Sequence, residues 1–206
     1  EGIRTLEGRD VRYAAEFGYR IKLLARVARA GEEVSVAVAP TLVPMTHMLA
    51  NVNDAFNAAM VKGDMSDYTM YYGRGAGRLP TASTVIGDIG DIARNLARSE
   101  SRYRRGIPDY NEGKMRLRPA GEIVSRFYLR FMIADRPGVF GSVASALGRH
   151  GVSIEAASQK VAAEGSGYVP VVVLTHAAKS SELDAALSEI VENKLVDGLP
   201  IKLRMI

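Results

Sequence analysis

Cysteine is absent, and with it every disulfide, thiolate metal site and cysteine nucleophile. Histidine is scarce: His47, His150 and His176 stand far apart in the chain, so no metal site is expected. No apolar run approaches the roughly 20 residues that cross a bilayer, and the first ten residues, EGIRTLEGRD, have neither the basic start nor the apolar stretch of a signal peptide. A cytoplasmic protein without a membrane partner is expected. Nor is there a strong charge imbalance. The net charge is +4, and the excess base gathers between residues 98 and 118, at Arg98, Arg102, Arg104, Arg105, Lys114, Arg116 and Arg118. That run is broken by turn-like Ile107-Pro108-Asp109 and Asn111-Glu112-Gly113 and lacks regular aromatic spacing, so it reads as a solvated connector and no nucleic-acid partner is expected. What is present is apolar residue, 47% of 206, enough for one large domain or two ordinary ones.

Spacing of three or four between Ala14, Phe17, Ile21, Leu24 and Val27 predicts a helix over residues 10–30, with Gly18 tolerated inside it. Residues 33–39, EVSVAVA, alternate as a half-buried strand does, and Pro40 and Pro44 bracket a loop. Residues 50–61 are ambiguous between strand and short helix; Lys62-Gly63-Asp64 reads as a turn and 68–72, YTMYY, as a strand. Val85, Ile89, Ile92 and Leu96 give residues 81–98 one apolar face, with Thr81 or Ser83 as the cap. Periodicity is then lost until about residue 120, which places a boundary there.

The remainder predicts strand 127–133, helix 139–149, strand 152–158, strand 168–175, helix 180–192 with a serine cap, and strand 201–206. The order βαββαβ is the ferredoxin-like arrangement, a four-stranded antiparallel sheet with two helices on one face. Pro170 lacks an amide donor and is expected at a sheet edge or a bulge.

Two loops carry candidate chemistry. Between the first strand and helix of this region, Asp135-Arg136-Pro137-Gly138 lets backbone approach a ligand at glycine and offers helix-start amides to a carboxylate, or else is a plain strand-to-helix turn. Upstream, YYGRGAGRLPTAST at residues 71–84 places Gly73, Gly75 and Gly77 at alternate positions before a helix. The pattern is not the G-x-G-x-x-G of a dinucleotide fold, and no second parallel strand follows it.

The stretch DRPGVFGSVASALGRHGVSIEAASQK, residues 135–160, resembles the ACT family of small-molecule regulatory domains, with the likeness spanning 126–206. The resemblance implies an amino-acid effector at Asp135, Arg136, Pro137, Gly138 and Val139, and edge-to-edge pairing through residues 152–158 and the 135 loop. EFGYRIKLLA at 16–25, PTLVP at 40–44, NVNDAFNAAMVKGD at 51–64 and GRGAGRLPTASTVIGDIGDIAR at 73–94 are similar, in collinear order, to homoserine dehydrogenases. That likeness implies NAD(P)-dependent interconversion of L-aspartate semialdehyde and L-homoserine, with NADP or NAD held partly by a closing loop in which Gly77 is the best contact and Gly75, Ala76 and Thr81 follow. It implies a substrate-binding and dimerisation portion over 1–98, a basic linker over 99–120 and an ACT regulatory domain over 121–206. The expected class is therefore α+β: a sheet-plus-helix part of a dehydrogenase substrate domain followed by a ferredoxin-like domain. Threonine is the implied effector and a homodimer or homotetramer the implied assembly. The family's Rossmann domain and catalytic lysine match nothing in these residues, and Lys22 matches a different family position. No catalytic residue is therefore assigned, and these residues alone are expected to be inactive. The other reading is a non-catalytic amino-acid-binding and oligomerisation module.

Overall fold

The computed structural model describes residues 3–97, 115–160 and 167–206. Most of the basic run, with its two turn-like triplets, lies outside them. Contacts gather the chain into two units, one formed by Glu1–Thr46 with Lys114–Ile206 and the other by His47–Gly113.

In the first unit, α1 (Gly8–Glu16) precedes the hairpin β1 (Tyr19–Ala30) and β2 (Glu33–Pro44). The expected long helix over 10–30 is therefore corrected. Gly18, at φ +80°, ends α1 instead of sitting inside a helix, because only glycine takes that left-handed geometry without strain. Beyond it the chain is extended, and Lys22 lies on a strand opposite Thr41. Gly31, at φ +62°, turns the hairpin, whose rungs run from Tyr19 opposite Pro44 to Ala30 opposite Glu33. Pro40 and Pro44 thus belong to β2 and bracket no loop. On its other side β2 is paired at Glu33 and Val34 and again at Thr41 and Leu42, so neither proline removes a donor from those rungs.

A two-residue strand β5 (Arg116–Leu117) lies along the start of β2. Then come β6 (Val124–Ala134), α3 (Val139–Arg149), β7 (Ile154–Gln159), β8 (Tyr168–Thr175), the short β9 (Ala178–Lys179), α4 (Ser180–Glu192) and β10 (Ile201–Met205). (The second unit's strands and helix, which fall earlier in the chain, take the labels β3, β4 and α2.) The sheet order is β1-β2-β10-β6-β8-β7, so the ferredoxin-like order β10-β6-β8-β7 is prolonged by the hairpin. Pro170 lies at neither an edge nor a bulge: β8 is paired on both sides. Pro170 accepts from the Lys160 amide beside the last rung of β7, where its missing donor costs one bond at a ladder end. The serine cap is also corrected. Ser180 begins α4, and both its amide and its hydroxyl donate to the Ile123 carbonyl, while Glu182 accepts from the Lys179 amide.

Alternation along β6 sends Phe127, Leu129, Phe131 and Ile133 to one face, where they pack with Val143 and Leu147 of α3 and Leu183 and Ile190 of α4. The opposite face, carrying Tyr128, Leu203 and Met205, is covered by Ala14, Tyr13 and Phe17 of α1. The strands β10, β6 and β8 are therefore covered on both sides, whereas Leu23, Val27, Val36 and Val38 of the hairpin stay exposed.

The second unit holds a 3-10 turn (Met48–Asn51), the antiparallel pair β3 (Phe56–Gly63) and β4 (Asp67–Arg74), and α2 (Arg78–Ala97). The ambiguous 50–61 stretch resolves as part of that turn followed by strand, and Gly63 still belongs to the strand. Phe56 and Tyr72 stack with ring centres 4.8 Å apart. Helix α2 starts three residues earlier than expected, so Thr81 and Ser83 lie inside it and Gly77 stands where a cap was sought. No residue of α2 is buried. Among the described residues, no helix is long and apolar enough to cross a membrane.

Candidate functional site

The β6-to-α3 turn forms the better-defined site. Ile133 and Ala134 at the end of β6, the 135–138 loop, Phe140, Gln159 at the end of β7, and Val169 enclose a pocket of about 350 Å³. Gly138 caps α3 at φ +87°, a conformation that a side chain strains. Helical bonding starts where the Ser142 amide donates to the Gly138 carbonyl at 2.9 Å, so the amides of Phe140 and Gly141 precede it in the first turn, where donors are in excess. The loop is held from behind by the Asp135 amide on Gly167 and the Arg136 amide on Ala134. Of the residues singled out from sequence, Asp135, Arg136, Pro137 and Gly138 line this pocket together, whereas Val139 packs against the apolar core. Gln159 was not foreseen. It reaches the site only because β7 returns across β8, which no local pattern discloses.

The glycine loop sits between β4 and α2. Its four candidates, Gly75, Ala76, Gly77 and Thr81, are all exposed. A side chain on Gly75 would put its Cβ 1.6 Å from Nδ2 of Asn57, so the exposed Asn57 side chain on β3 would have to turn aside to admit one. Its amide donates to Ala55. Gly77, at φ +127°, turns the chain into α2, and the Thr81 amide closes the first helical bond on its carbonyl at 3.1 Å.

A buried ionic cluster, missed in the sequence, joins α1 to β6. Asp10 and Arg130 are both buried, with Arg130 Nε donating to Oδ1 of Asp10 at 2.6 Å and Nη2 to Oδ2 at 3.2 Å. Tyr128 Oη donates to Oδ1 at 3.1 Å, the Glu7 amide donates to Oδ2 at 3.0 Å, and Arg130 also reaches the Glu7 carboxylate at 2.8 Å. Both Asp10 oxygens are thus doubly bonded, which a carboxylate removed from water needs. Burial, reinforced by the Asp10 charge, pushes the Tyr128 hydroxyl far above its usual range. Burial alone would lower the Arg130 guanidinium, but its bonds to Asp10 and Glu7 outweigh that and raise it. A second cavity, about 170 Å³, lies beside the hairpin between Ala37, Arg118 and Arg204.

The βαββαβ order, the sheet order and the glycine-capped pocket place the C-terminal region in the ferredoxin-like class. Residues 127–192 match the ACT domain and residues 1–89 match homoserine dehydrogenase. The homoserine dehydrogenase of Neisseria gonorrhoeae is 40% identical over 193 residues, covering 92% of this chain and 44% of that protein. That of Pseudomonas aeruginosa is 38% identical over 208 residues, covering 100% and 48%. The crystal structure of a homoserine dehydrogenase from Thiobacillus denitrificans superposes with a TM-score of 0.82 at 34% identity, covering all of this chain and 47% of that one. The chain thus carries a homoserine dehydrogenase domain over residues 1–89 and an ACT domain over 127–192, and homoserine dehydrogenases match it along its length. It spans about half the length of the curated relatives it matches.

Proposed function

We propose that these residues serve an enzyme that interconverts L-aspartate semialdehyde and L-homoserine with NADP or NAD, and that the 135–138 pocket takes L-threonine as a feedback effector. The observation that carries the regulatory part is the pocket itself. An amino acid's carboxylate meets the first-turn amides of α3, its ammonium meets the Asp135 carboxylate, and Arg136 and Gln159 are the other polar residues of the lining.

The glycine loop fits a cofactor only in part. Nothing crowds Gly73 or blocks Gly77, and Ala76, Gly77 and the Thr81 hydroxyl are exposed, whereas the space beside Gly75 is filled by Asn57. When bound, the nicotinamide supplies or accepts the hydride. The loop's part is to bring backbone close at Gly77 and to orient what it covers, with Asn57 holding the loop's shape from β3. The apolar stripe on α2 supports assembly as a homodimer or homotetramer, read by light scattering.

Calorimetry on the chain, with L-threonine in one cell and NADP in a parallel one, tests the reading. Threonine heat is expected, and Asp135→Asn weakens it about 10-fold or more through loss of a charged hydrogen bond. No turnover of aspartate semialdehyde is expected from these residues alone, and measurable NADPH oxidation would contradict that. Threonine heat without NADP heat favours the alternative, an amino-acid-binding and oligomerisation module. Silence with threonine removes the effector assignment.

A further inference from the structure

The pocket and α1 lie on opposite faces of one sheet, yet they are tied to the same strands. The pocket wall uses the last residues of β6 and Gln159 at the end of β7. On the other face, α1 is fastened to β6 by Arg130 on Asp10 and Glu7, and to the residue after β7 by Lys160. The Lys160 ammonium pairs with Glu16 and stands 5.3 Å from the Tyr13 ring centre and 5.4 Å from that of Phe17. Alternation makes this possible: Gln159 points to the α3 face and its neighbour Lys160 to the α1 face. Two clamps about one helix length apart thus hold α1 to two of the strands that end in the pocket, and α1 leads directly through Gly18 into β1.

We propose that α1 is the element through which occupancy of the 135–138 pocket is passed out of the ACT domain, with Arg130 and Lys160 as the positioning residues. A ligand that resets the spacing of the strand ends shifts both clamps, because a close-packed sheet moves as layers and does not absorb such a change locally. Linkage requires the reverse as well: loosening α1 changes affinity at the pocket by the same factor.

Arg130 is too buried to serve as the first test, since its loss threatens folding. Lys160 lies largely covered beside Tyr13 and Phe17, and methionine keeps that apolar packing while removing the charge that pairs with exposed Glu16, so Lys160→Met separates transmission from folding. The measurement is amide hydrogen exchange over residues 8–16, with 56–63 as the control. Saturating L-threonine is expected to change exchange in α1 about fivefold or more. Gln159→Trp, which fills the pocket from β7 without any ligand, is expected to change α1 as well. Lys160→Met should cut both responses by at least half. The threonine arm rests on the effector reading above, whereas the tryptophan arm does not. If threonine gives no heat, that reading falls and Gln159→Trp alone decides the coupling. An α1 unchanged in Gln159→Trp, or a response undiminished in Lys160→Met, overturns the proposal.

Discussion

The two units of this chain treat their apolar residues in opposite ways. The first covers the ACT strands of its sheet on both faces, leaving Leu23, Val27, Val36 and Val38 of the hairpin exposed, and buries Phe127, Tyr128, Phe131, Leu147, Leu183 and Ile190 almost completely. In the second, Ala50 is the only buried apolar residue among those described, while Leu79, Ile86, Ile89, Ile92 and Leu96 along α2 stay exposed. Apolar side chains at helical spacing on an exposed face mark a surface meant to be covered. The first unit buries a core of its own, whereas the second leaves the apolar face of α2 open. The division by contacts also crosses the division by family. The hairpin β1–β2, inside the homoserine dehydrogenase match, is grouped with the ACT sheet it extends.

The contrast can be broken first at the ionic cluster. Asp10→Ala leaves the Arg130 guanidinium buried without its main partner and should cost about 3–5 kcal/mol, read as a lowered denaturation midpoint. A loss below about 1 kcal/mol would mean that water or Glu7 replaces the carboxylate. Leu183→Ala, in the α4 core, should then cost about 2–5 kcal/mol, whereas Ile89→Ala on α2 should stay within about 0.5 kcal/mol in the dissociated chain. Equal losses in dilute protein would show α2 already covered.

A smaller effect is expected inside the second unit. Gly75→Ala drives a methyl into Asn57 and should destabilise the loop by about 1–3 kcal/mol, with Asn57→Ala in the same chain restoring most of it. Failure of that rescue would assign the cost to the backbone instead. The smallest effect concerns pH. Glu189 bonds Arg149 and His150, and first the Arg149 bond, then that of His150, lower its carboxyl below the usual 4.5. A depressed folded value means that the contribution is complete above the unfolded value and is lost as pH falls through the folded one. Glu189→Gln should therefore lower stability slightly at neutral pH, converge with the unchanged protein in acid, and so flatten the profile below about pH 4.5.

Legibility followed the same divide, though not along unit lines alone. Strand 168–175 and helices 139–149 and 180–192 are legible at their observed bounds, because each has a clear period and helix 139–149 also has a Pro-Gly entry and a His-Gly stop. The loop that lines the pocket is legible for a similar reason: four adjacent residues carry it. Residues 19–30 were misread because Ile21, Leu24 and Val27 satisfy a helical spacing by coincidence. Pairing with β2 overrode it, and β2 in turn meets β10 some 160 residues later. Gln159 and the Asp10–Arg130 pair had no sequence signal, since their partners lie far along the chain.

The sequence by itself determined the local things: the stop of α3 at His150-Gly151, the alternation of the later strands, the βαββαβ order, and the family to which both portions of the chain bear likeness. Tertiary structure alone decided that the hairpin extends the ACT sheet, that α1 closes the sheet's second face, and that a carboxylate and a guanidinium 120 residues apart meet out of water. The reason is physical. Turn and periodicity preferences act within a few residues, whereas burial and strand pairing are settled by whichever distant surface arrives to exclude water.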